Sequence, residues 1–145
     1  MRKYSLRKHL ISEKKYSMTI SIQASVGEVV DKVSILNIKA EKLTNPEALE
    51  NVSLELEFLK RALKDSGMEE ALSHVLFQQL AEVNVQLWQV EDELREFESK
   101  RIFDAEFIEL ARSVYKLNDR RAAIKRDVNL AFGSQLMEEK SYKAY

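Results

Sequence analysis

The chain contains no cysteine, a single proline (Pro46), three glycines (Gly27, Gly67 and Gly133) and two histidines (His9 and His74) among 145 residues. The lack of cysteine excludes disulfides, thiolate-bound zinc and thiol catalysis. With only two histidines, a His-built triad or metal site is not expected. No phosphate-cradling glycine loop, nucleophile elbow or zinc motif is present, so neither a cofactor nor a resident metal is expected. No apolar run approaches the roughly 20 residues of a membrane span. The N-terminus also lacks the continuous apolar stretch of a secretory signal. The expectation is a cytoplasmic protein with no membrane segment. With so few chain breakers, turns must be few and helices long.

What is present fits that outline. Hydrophobic residues make up 45% of the chain and charged residues 32%, the balance of a soluble helical domain large enough for a real core. The net charge of −1 conceals an asymmetry. Residues 1–17 carry Arg2, Lys3, Arg7, Lys8, Lys14 and Lys15 against Glu13, which reads as a basic arm, either solvated or seeking phosphates or an acidic partner. Met18 to Gln23 alternates apolar and polar residues, the period of an extended segment. A single helical domain is therefore expected over residues 18–145.

Four helices can be placed by caps and seams. Ser25-Val26-Gly27-Glu28 has the form of a capping box and opens a helix to about Leu43, with Val26, Val29, Val33, Leu36, Ala40 and Leu43 as its seam. Asn45-Pro46 restarts the chain as cap and first helical residue. This second helix ends near Lys64, with Leu49, Val52, Leu56, Leu59 and Leu63 inward. A third runs over about 68–99, with Leu72, Leu76, Leu80, Val83, Leu87, Val90, Leu94 and Phe97 inward. Asp104 caps a fourth over about 105–132, stopped at Gly133, and a short mixed tail follows. Short connections make neighbours antiparallel. The expected fold is all-α: an up-down antiparallel bundle of four main helices on a long hairpin of the third and fourth, with coiled-coil-like seams. Extra apolar stripes (Phe77 and Trp88, Ile35 and Ile38) either serve packing within one bundle or point to a homo-oligomer.

The fourth seam carries an anomaly. It runs Phe103, Phe107, Leu110, Val114, Leu117, Arg121, Ile124, Val128, Ala131, in steps of four and three that keep one helix face toward a partner. Arg121 puts a guanidinium on this stripe, and a buried charge must meet a carboxylate, an anion or water. Flanking stripes bring Asn84 and Glu91 on the third helix and Tyr115, Asn118 and Lys125 on the fourth toward the same region. Asn84 with Asn118 and Arg121 is the contact that antiparallel packing favours. Arg121 then either fixes helix register through an internal partner or, with Lys125, receives a phosphate or carboxylate that Asn84, Asn118 and Tyr115 orient. Lys32 and Lys39 of the first helix are further candidate cations. An outer basic stripe of Arg112, Lys116 and Arg120 is diluted by Glu106, Glu109, Asp119 and Asp127, which argues against nucleic acid. Glu106 and Glu109 could in principle share a divalent cation, but a lone pair of this spacing arises readily by chance.

Three blocks together carry a resemblance. They are Ser25 through Leu36 with Lys39, Asn84 through Glu91-Asp92-Glu93, and Phe107 through Arg121 with Gly133-Ser134 and Glu138 through Tyr142. The chain resembles a small family of bacterial proteins of unknown function over roughly residues 18–142. The resemblance implies a compact helical domain starting near Met18, with the basic arm as an extension, and draws attention to Asp31, Lys32, Lys39, Glu91, Asn118, Asp119, Arg120, Arg121 and Lys140. It implies no catalytic role. The first functional expectation is a non-enzymatic bundle that binds a partner protein or a small anionic ligand near Arg121. The alternatives are an all-helical enzyme orienting an anionic substrate between cations, and nucleic-acid association through the arm.

Overall fold

Three of the four helices start where a short polar side chain accepts a free amide of the first turn. The computed structural model describes residues 18–145, so the basic arm expected over residues 1–17 lies outside the described residues. The helices are α1 (Val26–Lys42), α2 (Pro46–Asp65), α3 (Val75–Lys100) and α4 (Ala105–Ala131), with a 3-10 turn at Glu69–Ser73. Ser25 Oγ accepts from Glu28 N at 3.1 Å, Asn45 Oδ1 from Ala48 N at 3.0 Å, and Asp104 Oδ1 from Phe107 N at 3.1 Å, each satisfying one orphan donor of its helix.

The third helix differs from its expected range. His74 is extended (φ −75°, ψ 149°), and its Nδ1 accepts from Leu76 N at 3.2 Å. The residues before it wind as a 3-10 turn, and α3 begins only at Val75. A histidine imidazole can cap a helix much as Asp or Asn does, and the unbroken apolar period through Leu72 and Leu76 conceals the break. Residues 18–24 form neither helix nor strand, and Met18, Ile20 and Ile22 stand exposed. A lone segment has no strand to pair with among the described residues.

The result is an all-α bundle in which α1 is the central helix. It packs on α2, α3, α4 and the 3-10 turn, whereas α2 rests mainly on α1 and α3 pairs most extensively with α4. The core joins Val30 and Val33 of α1, Leu63 of α2, Leu80 and Val83 of α3, and Ile124 and Val128 of α4. Its outermost members along the hairpin are Leu87 and Leu117. Beyond them the hairpin runs on alone, because 17 residues of α1 span about 25 Å and 27 residues of α4 about 40 Å at 1.5 Å per residue. Its tip is held by ring contacts of Phe107 with Phe97 (6.3 Å) and Phe103 (5.1 Å). Of the extra apolar stripes, Ile38 is buried and Phe77 packs on the core, whereas Ile35 and Trp88 are half-buried.

Candidate ligand-binding site

The start of α1 lies against the end of α4 because residue 27 is glycine. A Cβ there would sit 2.5 Å from the Lys125 carbonyl oxygen and 2.8 Å from Asn129 Oδ1. The close approach lets Gly27 N donate to the buried Asn129 Oδ1 at 2.6 Å, while Val26 N donates to Ser134 Oγ at 3.2 Å. With Ser25 on Glu28 N, the first three amides of α1 are all capped by side chains, two of them from the far end of the chain. That helix end is thereby closed to an external anion.

One turn further along α1, Asp31 is 1% exposed and forms the centre of a polar layer. Arg121 Nε donates to Asp31 Oδ1 at 3.0 Å, and Arg121 Nη2 donates to Oδ2, the two-point geometry that a guanidinium fork favours. Asn84 Nδ2 donates to Asp31 Oδ1 at 2.9 Å and to Ser34 Oγ at 3.0 Å. Arg121 Nη1 reaches Asn118 Oδ1 only at 3.5 Å. Among the described residues no buried side-chain nitrogen or oxygen lacks a partner, which is what a polar layer in a low-dielectric interior requires.

One turn of α4 beyond Arg121, Lys125 is more enclosed than Arg121 itself, its side chain 8% exposed against 28%. Its Nζ lies 2.6 Å from Glu28 Oε2, 2.8 Å from Glu138 Oε2 and 3.9 Å from Asp31 Oδ2. Burial pulls the Lys125 pKa down, but the hydrogen bonds from Glu138 and Glu28 outweigh it, and the net direction is upward. The hydrogen bond to Asp31 likewise raises that of Arg121 against the desolvation that lowers it.

The C-terminal tail completes the site. Past Gly133 (φ 61°) it turns back along α4. Lys140 Nζ donates to the Asn118 carbonyl at 3.3 Å, Tyr145 OH to Asp119 Oδ2 at 2.9 Å, and Arg126 Nη1 to Glu139 at 3.1 Å. Tyr145 also meets Tyr115 edge-on at 4.9 Å. Between tail, α4 and Glu28 lies a groove of about 720 Å³ with Arg121 and Lys125 in its wall and Tyr115, Asn118, Lys140, Tyr142 and Lys143 around it. A second groove of about 410 Å³, lined by Ile35, Ile38, Asn84, Trp88, Glu91 and others, meets Asn118 and Arg121 from the α3 side.

The candidate residues therefore separate. Arg121, Lys125, Asn118 and Tyr115 share the larger groove, while Asn84 and Glu91 line the smaller. Asn84 meets Arg121 only through Asp31, so the expected direct contact is replaced by a shared carboxylate. Glu91 is exposed and stands 3.9 Å from Arg95. Lys32 is turned toward α2, where it pairs with Glu55, and neither it nor Lys39 lines a groove. On the outer face, Glu109 is paired with Arg112 at 2.6 Å.

The sequence blocks that suggested a family are the same ones that build this layer and its covering tail, and a family model matches the chain over residues 18–145 as a family of unknown function (DUF6165). The chain belongs to that family. The match takes in α1 through α4 and the tail and leaves out residues 1–17. Neither a curated protein nor a solved structure matches the chain. No described helix is long and apolar enough to cross a membrane.

Periodicity left five residues out of the site: Asp31 as the partner of Arg121, although the resemblance pointed to that residue, Glu28 and Glu138 on Lys125, and Tyr142 and Tyr145 of the tail. Glu28 reads in the sequence as the second half of the capping box, but its carboxylate takes Lys125 instead. Asp31 and Ser34, spaced three apart among the apolar residues of α1, were the available signal. A helix apolar on nearly all sides is enclosed by its neighbours, and polar residues on it then face other helices.

Proposed function

We propose that this bundle binds a small anionic ligand in the groove between α4 and the C-terminal tail, without catalysing a reaction on it. The observation that carries the proposal is the convergence of Arg121, Lys125, Lys140 and Lys143 with three tyrosines on one groove of about 720 Å³, a volume suited to a small molecule. The remaining charges favour binding over catalysis. The groove is lined by no serine, cysteine or histidine, and its carboxylates Glu28, Asp119 and Glu138 each face a cation or a phenol. An enzyme of the electrostatic kind would want inward cations from several helices, but Arg121 and Lys125 share α4 while Lys32 and Lys39 line neither groove.

The test is a melting-temperature screen with carboxylates, phosphate and nucleotides. A ligand at about 100 times its Kd adds about 2.7 kcal/mol to stability, a clear upward shift. Arg121→Met should abolish that shift relative to the variant's own baseline. If no anion moves the melting temperature, the proposal fails. A second reading, self-association, rests on Ile102, Phe103 and Ile108, which are 40%, 54% and 53% exposed at the uncovered hairpin tip. Sedimentation of the chain beside Phe103→Glu decides it: a homo-oligomer dissociates in the variant, and a wild-type monomer refutes it.

A further inference from the structure

Lys125 is an enclosed ammonium that needs anionic partners, and its two close ones differ in kind. Glu28 is delivered by the first turn of α1, fixed by three side-chain caps. Glu138 is delivered by a segment with no helix or strand. That segment is anchored firmly at its base, where Ser134 N donates to the Asn129 carbonyl at 2.8 Å and Ser134 Oγ caps Val26 N. Beyond Ser134 its ties to the body are exposed: Arg126 with Glu139, Lys140 with Asn118 and Asp119, and Tyr145 with Asp119. Exposed ties of this kind hold weakly.

We propose that Glu138 stands in for the carboxylate of the ligand, and that the tail beyond Ser134 is a strap displaced when an aromatic monocarboxylate takes its place on Lys125. This rests on the anion-binding reading above, of which it keeps the α4 wall of the groove, and names the ligand class. The exchange at Lys125 sets the valence. One carboxylate leaves its Nζ and one takes its place, whereas a phosphate dianion brings a second negative charge beside Glu28 and Asp31. The fixed wall sets the body. Tyr115 on α4, with Val114 and Ala122 beside it, offers a ring and apolar surface that stay in place when the strap moves. Tyr142 and Tyr145 ride on the strap itself, so the same movement that frees Lys125 vacates the place on the Tyr115 ring that Tyr145 now takes edge-on.

The test titrates phenylacetate, acetate and inorganic phosphate into the full chain by calorimetry, with Glu138→Gln and Lys125→Met beside it. Phenylacetate should bind more tightly than acetate or phosphate. Glu138→Gln should bind it at least about threefold tighter, the factor expected when an internal competitor fills the site two-thirds of the time. Lys125→Met should lose it. In the wild-type chain, phenylacetate should speed deuterium exchange of backbone amides over residues 136–145, a readout that holds even if the Gln variant folds poorly. Phenylacetate binding with unchanged or weaker affinity in Glu138→Gln, or with a tail that becomes more protected, overturns the strap but leaves the binding reading standing. Phosphate binding at least as tightly as phenylacetate overturns the carboxylate assignment. If no probe binds any variant, the strap and its carboxylate assignment fall, and the melting-temperature screen decides the anion-binding reading by itself.

Discussion

Arg121→Met should destabilise the protein by about 3 kcal/mol, because it strands a carboxylate in the interior. Asp31 is 1% exposed, and the Arg121 fork supplies its two-point partner. Breaking a buried pair by removing one member costs about 3–5 kcal/mol, most of it from the charge left behind. The low end applies because Asn84 still donates to Asp31 at 2.9 Å and Lys125 stands 3.9 Å away. The converse change, Asp31→Asn, should cost only about 1–2 kcal/mol, because the partly exposed guanidinium can turn to water and the new amide can still accept from Asn84. The double variant should recover about 1.5–2 kcal/mol relative to the sum of the singles, the coupling of two groups in direct contact. Urea unfolding followed by circular dichroism measures all four corners. With a slope of about 2 kcal/mol/M, the Arg121→Met midpoint falls by about 1.5 M. An Arg121→Met protein as stable as the parent, or strictly additive singles, would refute the claim that this pair holds α1 to α4.

Gly27→Ala should destabilise by about 1–3 kcal/mol although alanine is the better helix former, because overpacking against the Lys125 carbonyl outweighs propensity; thermal unfolding reads the sign. Arg101→Gly should stabilise by about 0.5–1 kcal/mol, since Arg101 ends α3 at φ 54°, a conformation that glycine adopts without strain; the urea midpoint should rise. The raised pKa of Lys125 means that the charged form supports folding fully below the unfolded value of about 10.4, and that this support is lost as pH climbs through the higher folded value. Stability measured from pH 9 to pH 11.5 should therefore fall more steeply in the parent than in Lys125→Met; parallel curves would contradict the pairing.

Much of the fold was legible because its signals are local. Ser25, Asn45 and Asp104 announce helix starts, and Gly133 announces the end of the last helix. The scarcity of breakers dictates long elements. The seam of α4 marked Arg121, and of the partners a guanidinium there could take, the structure supplies an internal carboxylate, Asp31. What was not legible depends on the third dimension. The buried arc of α1 is wide because three helices surround it, so a single seam through Val29 and Val33 misses Asp31 and Ser34 on the adjoining face. Lys125 looked peripheral by spacing, yet the close approach at Gly27 encloses it. The tail has no period at all, and its return along α4 depends on single contacts from Ser134, Lys140 and Tyr145.

The guanidinium of Arg121 can be watched directly. Its Nε–H is pinned to both oxygens of Asp31, at 3.0 and 3.2 Å, so nitrogen-15 NMR should show one arginine side-chain Nε–H signal that exchanges slowly with water and disappears in both Arg121→Met and Asp31→Asn. An Arg121 signal exchanging as fast as those of the exposed arginines, and unmoved by Asp31→Asn, would contradict the account at its centre.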